Sequence, residues 1–289
     1  MSKSVFDFYN SSIDLEALIR RFSDLAIGAD PDYFTNFLGV KVPAAVYPPV
    51  LEGREGQVEA PPLPANWHAC VAEWGAVIRS VMLSGDAFRM VELGCGWGCW
   101  LNNGLKLAEI SGKSGAAIGI EGDLGYVEMA RQILDLNGFD KGEASVLHGV
   151  AGPTGKRAFF PIREGAEYGL EPIFVDESSA EEERIGGMLV EVDVYGLDKL
   201  FGEGEKINLL HIDIQGGEVE FLRDNLESLN AVVEYLVIGT HSRLIEGELI
   251  ALLSTNGWKL EIERPAVFEI SGDEFTTSID GLQGWIRNK

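Results

Sequence analysis

Asp213 and His241 are the residues that the sequence places best for acid–base chemistry. They stand at the ends of two apolar, strand-like runs, "INLLHID" and "VEYLVIGTH". A carboxylate or an imidazole within hydrogen-bond reach of a hydroxyl can take up its proton as that hydroxyl reacts. Asp213 could instead cap the helix that follows it, and His241 could be an ordinary loop histidine. The pair could also hold a divalent cation, but no third ligand is evident.

A glycine-rich loop is the second feature with chemical meaning. In "FRMVELGCGWG" an apolar run ends at Glu92, and Gly94, Gly96 and Gly98 follow at alternate positions. Glycines at the exit of a strand let a ligand approach the backbone closely, and the start of the next helix offers free N–H groups. The dinucleotide-binding pattern G-x-G-x-x-G would need a glycine at position 99, where Cys99 stands.

An acid follows this loop at the spacing expected of a nucleotide-binding sheet. In "IGIEGD", Glu121 ends the next strand-like run. A carboxylate at this place can accept hydrogen bonds from both hydroxyls of a ribose. The alternative is an acid that caps the following helix, a role for which Asp123 is better placed.

These residues must be positioned by an α/β sheet. From Phe88 onward, apolar strand-like runs alternate with helix-like segments, which predicts a mostly parallel sheet with helices on both faces. Ligands of such sheets bind beyond the carboxyl ends of the strands, where all the residues above are expected.

The first 85 residues predict a different organisation. Residues 1–40 have helical periodicity, with Ser12 or Asp14 as the cap of a helix, and the proline-rich residues 42–64 predict an extended connector or lid. Asn66 is expected to cap a further helix that runs to about residue 83. We therefore predict two parts, an N-terminal helical extension with its connector over 1–85 and a ligand-binding domain over 86–289.

The segments "VELGCGWG" and "IGIEGD" resemble the first two motifs of S-adenosylmethionine-dependent methyltransferases of the Rossmann-like class. The longer segment "GLDKLFGEGEKINLLHIDIQGGEVEFLRD", residues 196–224, is similar to the FkbM-type family within that class, with departures at His211 and Gln215. The similarity extends over roughly residues 88–289. It implies a Rossmann-like class I methyltransferase sheet, mostly parallel with an antiparallel last strand.

The resemblance also implies roles for individual residues. Gly94, Gly96 and Gly98 would line the methionine part and the ribose of S-adenosylmethionine, and Glu92 would hold the loop, or the amino group of the cofactor through a water. A residue within Gly149–Ala151 would lie near the adenine, so Gly149 and Ala151 are candidate cofactor-binding residues. Independently of the resemblance, their places at strand ends would bring Asp213 and His241 to one cleft as the catalytic pair.

The function expected from this resemblance is S-adenosylmethionine-dependent O-methylation of a hydroxyl on a sugar or small natural product. A divalent metal could take part but is not favoured. Two alternatives are an NAD-type Rossmann oxidoreductase, which lacks a Tyr-x-x-x-Lys pair here, and a non-catalytic scaffold, suggested by Gln215 and by the acidic segment 176–187.

Composition limits the partners. A net charge of −23 without a run of Lys and Arg argues against nucleic acid as a partner. An apolar stretch of membrane-spanning length and a signal peptide are both missing from the sequence, and the three cysteines have no disulfide spacing, so we expect a cytoplasmic protein without membrane contact. The sequence leaves the oligomeric state open.

Overall fold

The computed structural model describes residues 4–139, 142–153, 155–162, 169–176, 189–200, 205–272 and 274–288. Most of the acidic segment 176–187 lies outside the described residues. The helices of the described part are α1 (Leu15–Arg20), α2 (Pro48–Leu51), α3 (Val71–Leu83), α4 (Cys99–Ile110), α5 (Leu124–Leu136), α6 (Glu218–Asp224), α7 (Leu226–Val232) and α8 (Arg243–Thr255).

The strands of the described part are β1 (Asn10–Ser11), β2 (Phe34–Thr35), β3 (Lys41–Val42), β4 (Ala87–Leu93), β5 (Ser114–Glu121), β6 (Ala144–Ala151), β7 (Lys156–Pro161), β8 (Ile173–Asp176), β9 (Leu189–Tyr195), β10 (Leu209–Ile212), β11 (Tyr235–Thr240), β12 (Trp258–Arg264), β13 (Val267–Ser271), β14 (Glu274–Ile279) and β15 (Gly281–Arg287). Eleven of them form one sheet in the order β1-β12-β15-β11-β10-β4-β5-β6-β9-β7-β8, and β2-β3 and β13-β14 are separate pairs.

The centre of this sheet has the predicted class I methyltransferase arrangement. Seven neighbouring strands run β6-β5-β4-β10-β11-β15-β12, and β15 is antiparallel to both of its neighbours while β4, β5, β6, β10 and β11 are parallel. Strand β10 is buried at every position because helices cover both faces, which explains its unbroken apolar sequence. The expected fold class is confirmed.

Both edges of the sheet carry strands that the sequence pattern did not predict. Strands β9, β7 and β8 extend it beyond β6, and β1 pairs with β12, with Asn10 opposite Glu263. Of these, only β9 lies in a segment, "MLVEVDVYGLDKLF", whose sequence predicts a strand followed by a short helix. The chain between β6 and β9 is less regular in sequence, so its pattern does not reveal β7 and β8. The N-terminal extension is therefore not purely helical, since one of its strands belongs to the main sheet.

Two local expectations for the extension were wrong. Helical structure in residues 4–40 is limited to one turn at Val5–Asp7 and to α1, which Asp14 caps by accepting from the Ala17 N–H at 2.9 Å. Asn66 does not cap α3, because its Oδ1 accepts from the N–H of Ala69 in a turn that ends before the helix begins. In the second case a local side-chain bond forms a turn where the sequence predicted the start of a helix.

The predicted division at residue 85 stays a prediction. Buried side chains from both sides of that boundary pack in one apolar cluster, in which Trp74 and Val77 of α3 join Phe88 and Met90 of β4. No helix in the described ranges is long and apolar enough to cross a membrane.

Gly94 occupies a position that a larger residue cannot take. Its φ is +74°, and a Cβ at this residue would overlap the carbonyl oxygen of Asp213, which belongs to the backbone and cannot rotate away. We expect Gly94→Ala to lose roughly 1–2 kcal/mol of unfolding free energy from the left-handed conformation alone, with the overlap adding to that loss.

Urea denaturation followed by circular dichroism measures this effect. Gly247→Ala is the matched control, because Gly247 lies within α8 with no atom within 4 Å of the Cβ position. That control should be neutral or stabilising by up to about 1 kcal/mol. Equal unfolding free energies for the two variants would contradict the close approach at Gly94.

Candidate functional site

A cavity of about 980 Å³ opens at the carboxyl ends of the parallel strands. Eight of the nine predicted site residues line it, namely Glu92, Gly94, Gly96, Glu121, Gly149, Ala151, Asp213 and His241. The ninth, Gly98, has a φ of +79° at the start of α4, and a Cβ there would lie 3.2 Å from the Cβ of Ala130. The glycine at 98 therefore lets α4 pack closely against α5.

The glycine loop is hydrogen-bonded to β5, and its backbone at Gly96 is not covered by side chains. The N–H groups of Gly94 and Cys95 both donate to the carbonyl oxygen of Ile120, at 2.9 and 3.1 Å. Gly96 has a φ of +50° and no atom within 4 Å of its Cβ position. The backbone at Gly96 is thus open to a group in the cavity.

Glu92 holds the start of the helix that follows the loop. Its carboxylate accepts from the N–H groups of Trp100 and Leu101, at 3.4 and 2.9 Å. Burial raises the pKa of Glu92 to about 8, although His211 and the two N–H groups oppose that rise. These contacts are with the first turn of α4, and both predicted roles of Glu92, on the glycine loop and at a cofactor amino group, stay predictions.

Two acids lie at the end of β5. Asp123 caps the following helix, and Glu121 lines the cavity. The Glu121 oxygens accept from Gly96 N–H and Asp123 N–H, each at 2.8 Å, so that the carboxylate is held at the cavity wall. Burial raises the pKa of Glu121, and these N–H bonds oppose the rise. Asp123 caps α5 by accepting from Gly125 N–H at 2.7 Å.

Gly149 and Ala151, at the end of β6, also line the cavity. A Cβ at Gly149 would lie 2.5 Å from the carbonyl oxygen of Asp193 on β9. Only a glycine fits there, because β9 pairs directly with this end of β6.

Asp213 and His241 are hydrogen-bonded to each other, as their places at adjacent strand ends suggested. His241 Nε2 lies 3.1 Å from Oδ1 of Asp213, and the side-chain amide of Gln215 donates to the same oxygen at 3.2 Å. The Asp213 side chain is 44% exposed, and it lines the cavity. Burial raises its pKa, but the bond to His241 outweighs burial, so the pKa of Asp213 lies below its ordinary value.

Glu218 is a third residue of this group. Its contact with His241 could not be predicted from the sequence. It is fully buried at the start of α6, and its Oε1 lies 3.0 Å from Nδ1 of His241. The same oxygen accepts from the N–H groups of Ile214 and Gly216, at 3.2 and 3.1 Å. Glu218 therefore holds both the loop after Asp213 and the ring of His241.

His241 lies between two carboxylates, and this determines its charge. Burial lowers the pKa of His241, but the bond to Asp213 and the contact with Glu218 outweigh burial and raise it to about 10. At neutral pH the ring is an imidazolium, and Asp213 is an anion.

His211 is a buried residue of β10 with a hydrogen-bond partner on α3. Its Nε2 lies 3.1 Å from Oε1 of Glu73, an oxygen that also accepts from the indole N–H of Trp100 at 3.0 Å. Glu73 was missed because it is 138 residues away from His211 in the chain.

Aromatic residues of the first 85 positions line another part of the cavity. Phe6, Tyr47, Trp67 and His68 all line it. The rings of Trp67 and Trp97 are nearly parallel with centroids 6.1 Å apart. Trp97 of the glycine loop therefore packs against Trp67 of the N-terminal extension. Within the described residues, no three His, Cys, Asp or Glu side chains form a group that could hold a metal ion.

Comparisons with known proteins agree on one kind of enzyme. Residues 91–276 match the family model described as the methyltransferase FkbM domain. A protein of Jannaschia sp. (strain CCS1), provisionally described as a methyltransferase, is 40% identical over 267 residues, which are 91% of this chain and 95% of that protein.

Solved structures with a similar fold are more distant in sequence. Precorrin-6y C5,15-methyltransferase from Geobacter metallireducens GS-15 matches with a TM-score of 0.42 and 12% identity, over 74% of this chain and 86% of that one. M. capricolum TrmK in complex with S-adenosyl-homocysteine matches with a TM-score of 0.39 and 11% identity, over 74% and 68%.

The raised pKa of His241 makes a prediction about stability. A histidine whose pKa is higher in the folded than in the unfolded protein contributes stability that is complete below the unfolded value of roughly 6.5. That contribution is lost as the pH rises to the folded value of about 10. The unfolding free energy of the wild type should therefore fall more between pH 6.5 and 10 than that of His241→Gln.

Urea denaturation of both proteins across this range tests the prediction, because the other titrating groups are common to the two proteins. Parallel pH profiles would show that His241 has an ordinary pKa.

Proposed function

The chain belongs to the FkbM methyltransferase family, and from this premise we propose that it is an S-adenosylmethionine-dependent O-methyltransferase whose acceptor is a hydroxyl of a sugar or small natural product. One observation carries the proposal. The bare backbone at Gly96, the fixed carboxylate of Glu121 and the Asp213–His241 pair line a single cavity.

The cofactor end of the cavity would be the glycine loop and the ends of β5 and β6. Glu121 is held by two N–H groups and keeps a further lone pair on each oxygen, which is what two ribose hydroxyls require. Gly149 and Ala151 would lie at the adenine, and Gly94–Gly96 at the methionine part. S-Adenosylmethionine supplies an electrophilic methyl group on a sulfonium, and its transfer leaves the electron pair of the broken bond on sulfur.

The protein would contribute alignment and a proton acceptor. A hydroxyl must lose its proton as its oxygen bonds to the methyl carbon, and Asp213 is the group suited to receive it. His241 and Gln215 both donate to Oδ1 of Asp213, which leaves Oδ2 for the acceptor. His241 would stabilise the anionic form of Asp213 until the proton arrives, because the ring itself is charged and cannot serve as the base.

Membership of a methyltransferase family speaks against the oxidoreductase alternative. The net charge of −23 supports a small molecule rather than a nucleic acid as the acceptor. A cytoplasmic location and independence from metal remain expectations.

Cofactor binding is tested by thermal stabilisation. S-Adenosylhomocysteine at 100 times its Kd should add about 2.7 kcal/mol of stability, and NAD should add none. Glu121→Ala should weaken S-adenosylhomocysteine binding by roughly tenfold to a hundredfold, because hydrogen bonds to a charged group contribute about 1.5–3 kcal/mol. Glu128→Ala, which removes an exposed acid from α5, is the control and should bind normally. Stabilisation by NAD alone would refute the proposed cofactor.

Catalysis is tested at Asp213 by mass-spectrometric detection of methylated products from a panel of hydroxyl acceptors. Asp213→Asn should lower kcat by about 10²–10⁴-fold, the usual contribution of a general base. Stabilisation by S-adenosylhomocysteine should be largely kept. Unchanged turnover would remove Asp213 from the reaction, and a wild type without turnover on any acceptor would favour the scaffold alternative.

A further inference from the structure

Arg264 is a buried, positively charged residue of the cavity. It forms no ion pair with any of the described residues. It is the last residue of β12, it lines the cavity, and only 8% of its surface is exposed. Nε donates to the sulfur of Cys70 at 3.2 Å, and Nη2 donates to the backbone carbonyl of Asp280. Nη1 has no hydrogen-bond partner among the described residues.

This arrangement is unfavourable for the protein alone. Burying a charge destabilises the folded protein unless an opposite charge and hydrogen bonds compensate for it. The described part of the chain has no carboxylate within ion-pair distance of Arg264. The ring of Phe6, with its centroid 5.8 Å away, offers only a weak cation–π contact.

Three acids that line the cavity already have donors, and a fourth, Asp280, interacts with Arg264 through its charge without an ion pair among the described residues. Glu121 and Glu92 accept from backbone N–H groups, and Glu73 accepts from Trp100 and faces His211. Since these acids have donors of their own, they do not compete for Arg264. An anion that enters the cavity could therefore accept a hydrogen bond from Nη1 of Arg264.

Arg264 lies on the acceptor side of the proposed site. In the sheet, β12 and β11 are the two neighbours of β15, where Arg264 pairs with Leu282 and Thr240 pairs with Gly281. Neighbouring strands are roughly 4.8 Å apart, so the strand of Arg264 is roughly 10 Å from the strand that His241 follows. Asp213 follows β10, one strand further on, at roughly 14 Å from the strand of Arg264, so the long Arg264 side chain and the acceptor together would have to span that separation.

We propose that Arg264 binds a carboxylate of the methyl acceptor and so orients the acceptor's hydroxyl toward Asp213. A guanidinium pairs with planar carboxylates through parallel N–H bonds, and the vacant Nη1 supplies the donor that such a pair needs. A carboxylate fits better than a phosphate, because Asp280 and Asp213 at this end of the cavity would repel a dianion more strongly. The inference rests on the proposed function and narrows its acceptor to hydroxy acids.

Matched acids and amides test the proposal. The probes are D-glucuronate with D-glucuronamide, and 4-hydroxybenzoate with 4-hydroxybenzamide, titrated by NMR into protein saturated with S-adenosylhomocysteine. At least one acid should bind roughly tenfold more tightly than its amide, as expected for a charge-assisted hydrogen bond. Arg264→Gln should abolish that preference, and Arg264→Lys should keep part of it.

Lys259→Gln is the control, since it removes a positive charge from an exposed position of the same strand and should leave the preference unchanged. The wild-type comparison stands even where an Arg264 variant does not fold. An equal affinity for acid and amide in both pairs, including undetectable binding of both acids, overturns the proposal, as does a preference that survives in Arg264→Gln. A protein that S-adenosylhomocysteine fails to stabilise contradicts the proposed function instead.

Discussion

The pairing of β4 with β10 is the constraint on which the site depends. Leu93 lies opposite Ile212, and the N–H of Asp213 continues the ladder by donating to the carbonyl of Leu93 at 2.9 Å. The residue that follows β4 is Gly94, whose α-carbon lies so close to the Asp213 backbone that no side chain fits. The glycine loop and the candidate base are therefore placed by one set of main-chain bonds, and neither can move without the other.

The charged groups of the cavity are stabilised by the donors around them. A cavity with several acids would be unstable if each carboxylate were merely buried, because desolvation penalises the charged form. Here N–H groups of the loop and of a helix start offset part of that penalty at Glu121 and Glu92, and one imidazolium lies between Asp213 and Glu218. Among the described residues, the empty side-chain position at Gly96 and Oδ2 of Asp213 are left for a cofactor and an acceptor.

Sequence alone predicted the parts of this arrangement that depend on local pattern. Buried parallel strands are continuous apolar runs, and the residue that ends or follows such a run must lie at the ligand edge of the sheet. Glu121, Asp213 and His241 could therefore be assigned to that edge from their immediate neighbours in the chain. The family resemblance then predicted the mostly parallel sheet and its antiparallel last strand, which the strand pairing confirms.

What could not be predicted depends on distant pairing. Strand β1 is two residues long and has no pattern of its own, and only its partner β12 makes it a strand. Glu73 and Arg264 look like ordinary charged residues of a helix and a strand. Their burial at the cavity follows from the packing of α3 and β12 against the sheet, which periodicity does not report.

Gln215 shows how a departure from the family pattern can fit the chemistry. It has a φ of +57°, a conformation uncommon for residues other than glycine, and this directs its amide to Oδ1 of Asp213 at 3.2 Å. An acid at this position would set a second negative charge against Asp213 and raise its pKa, because like charges disfavour ionisation. The amide donates a hydrogen bond instead, and so supports the anionic form that a proton acceptor requires. The substitution that raised the scaffold alternative is thus compatible with an active base, since the loop of Asp213 retains the groups that keep this carboxylate ionised.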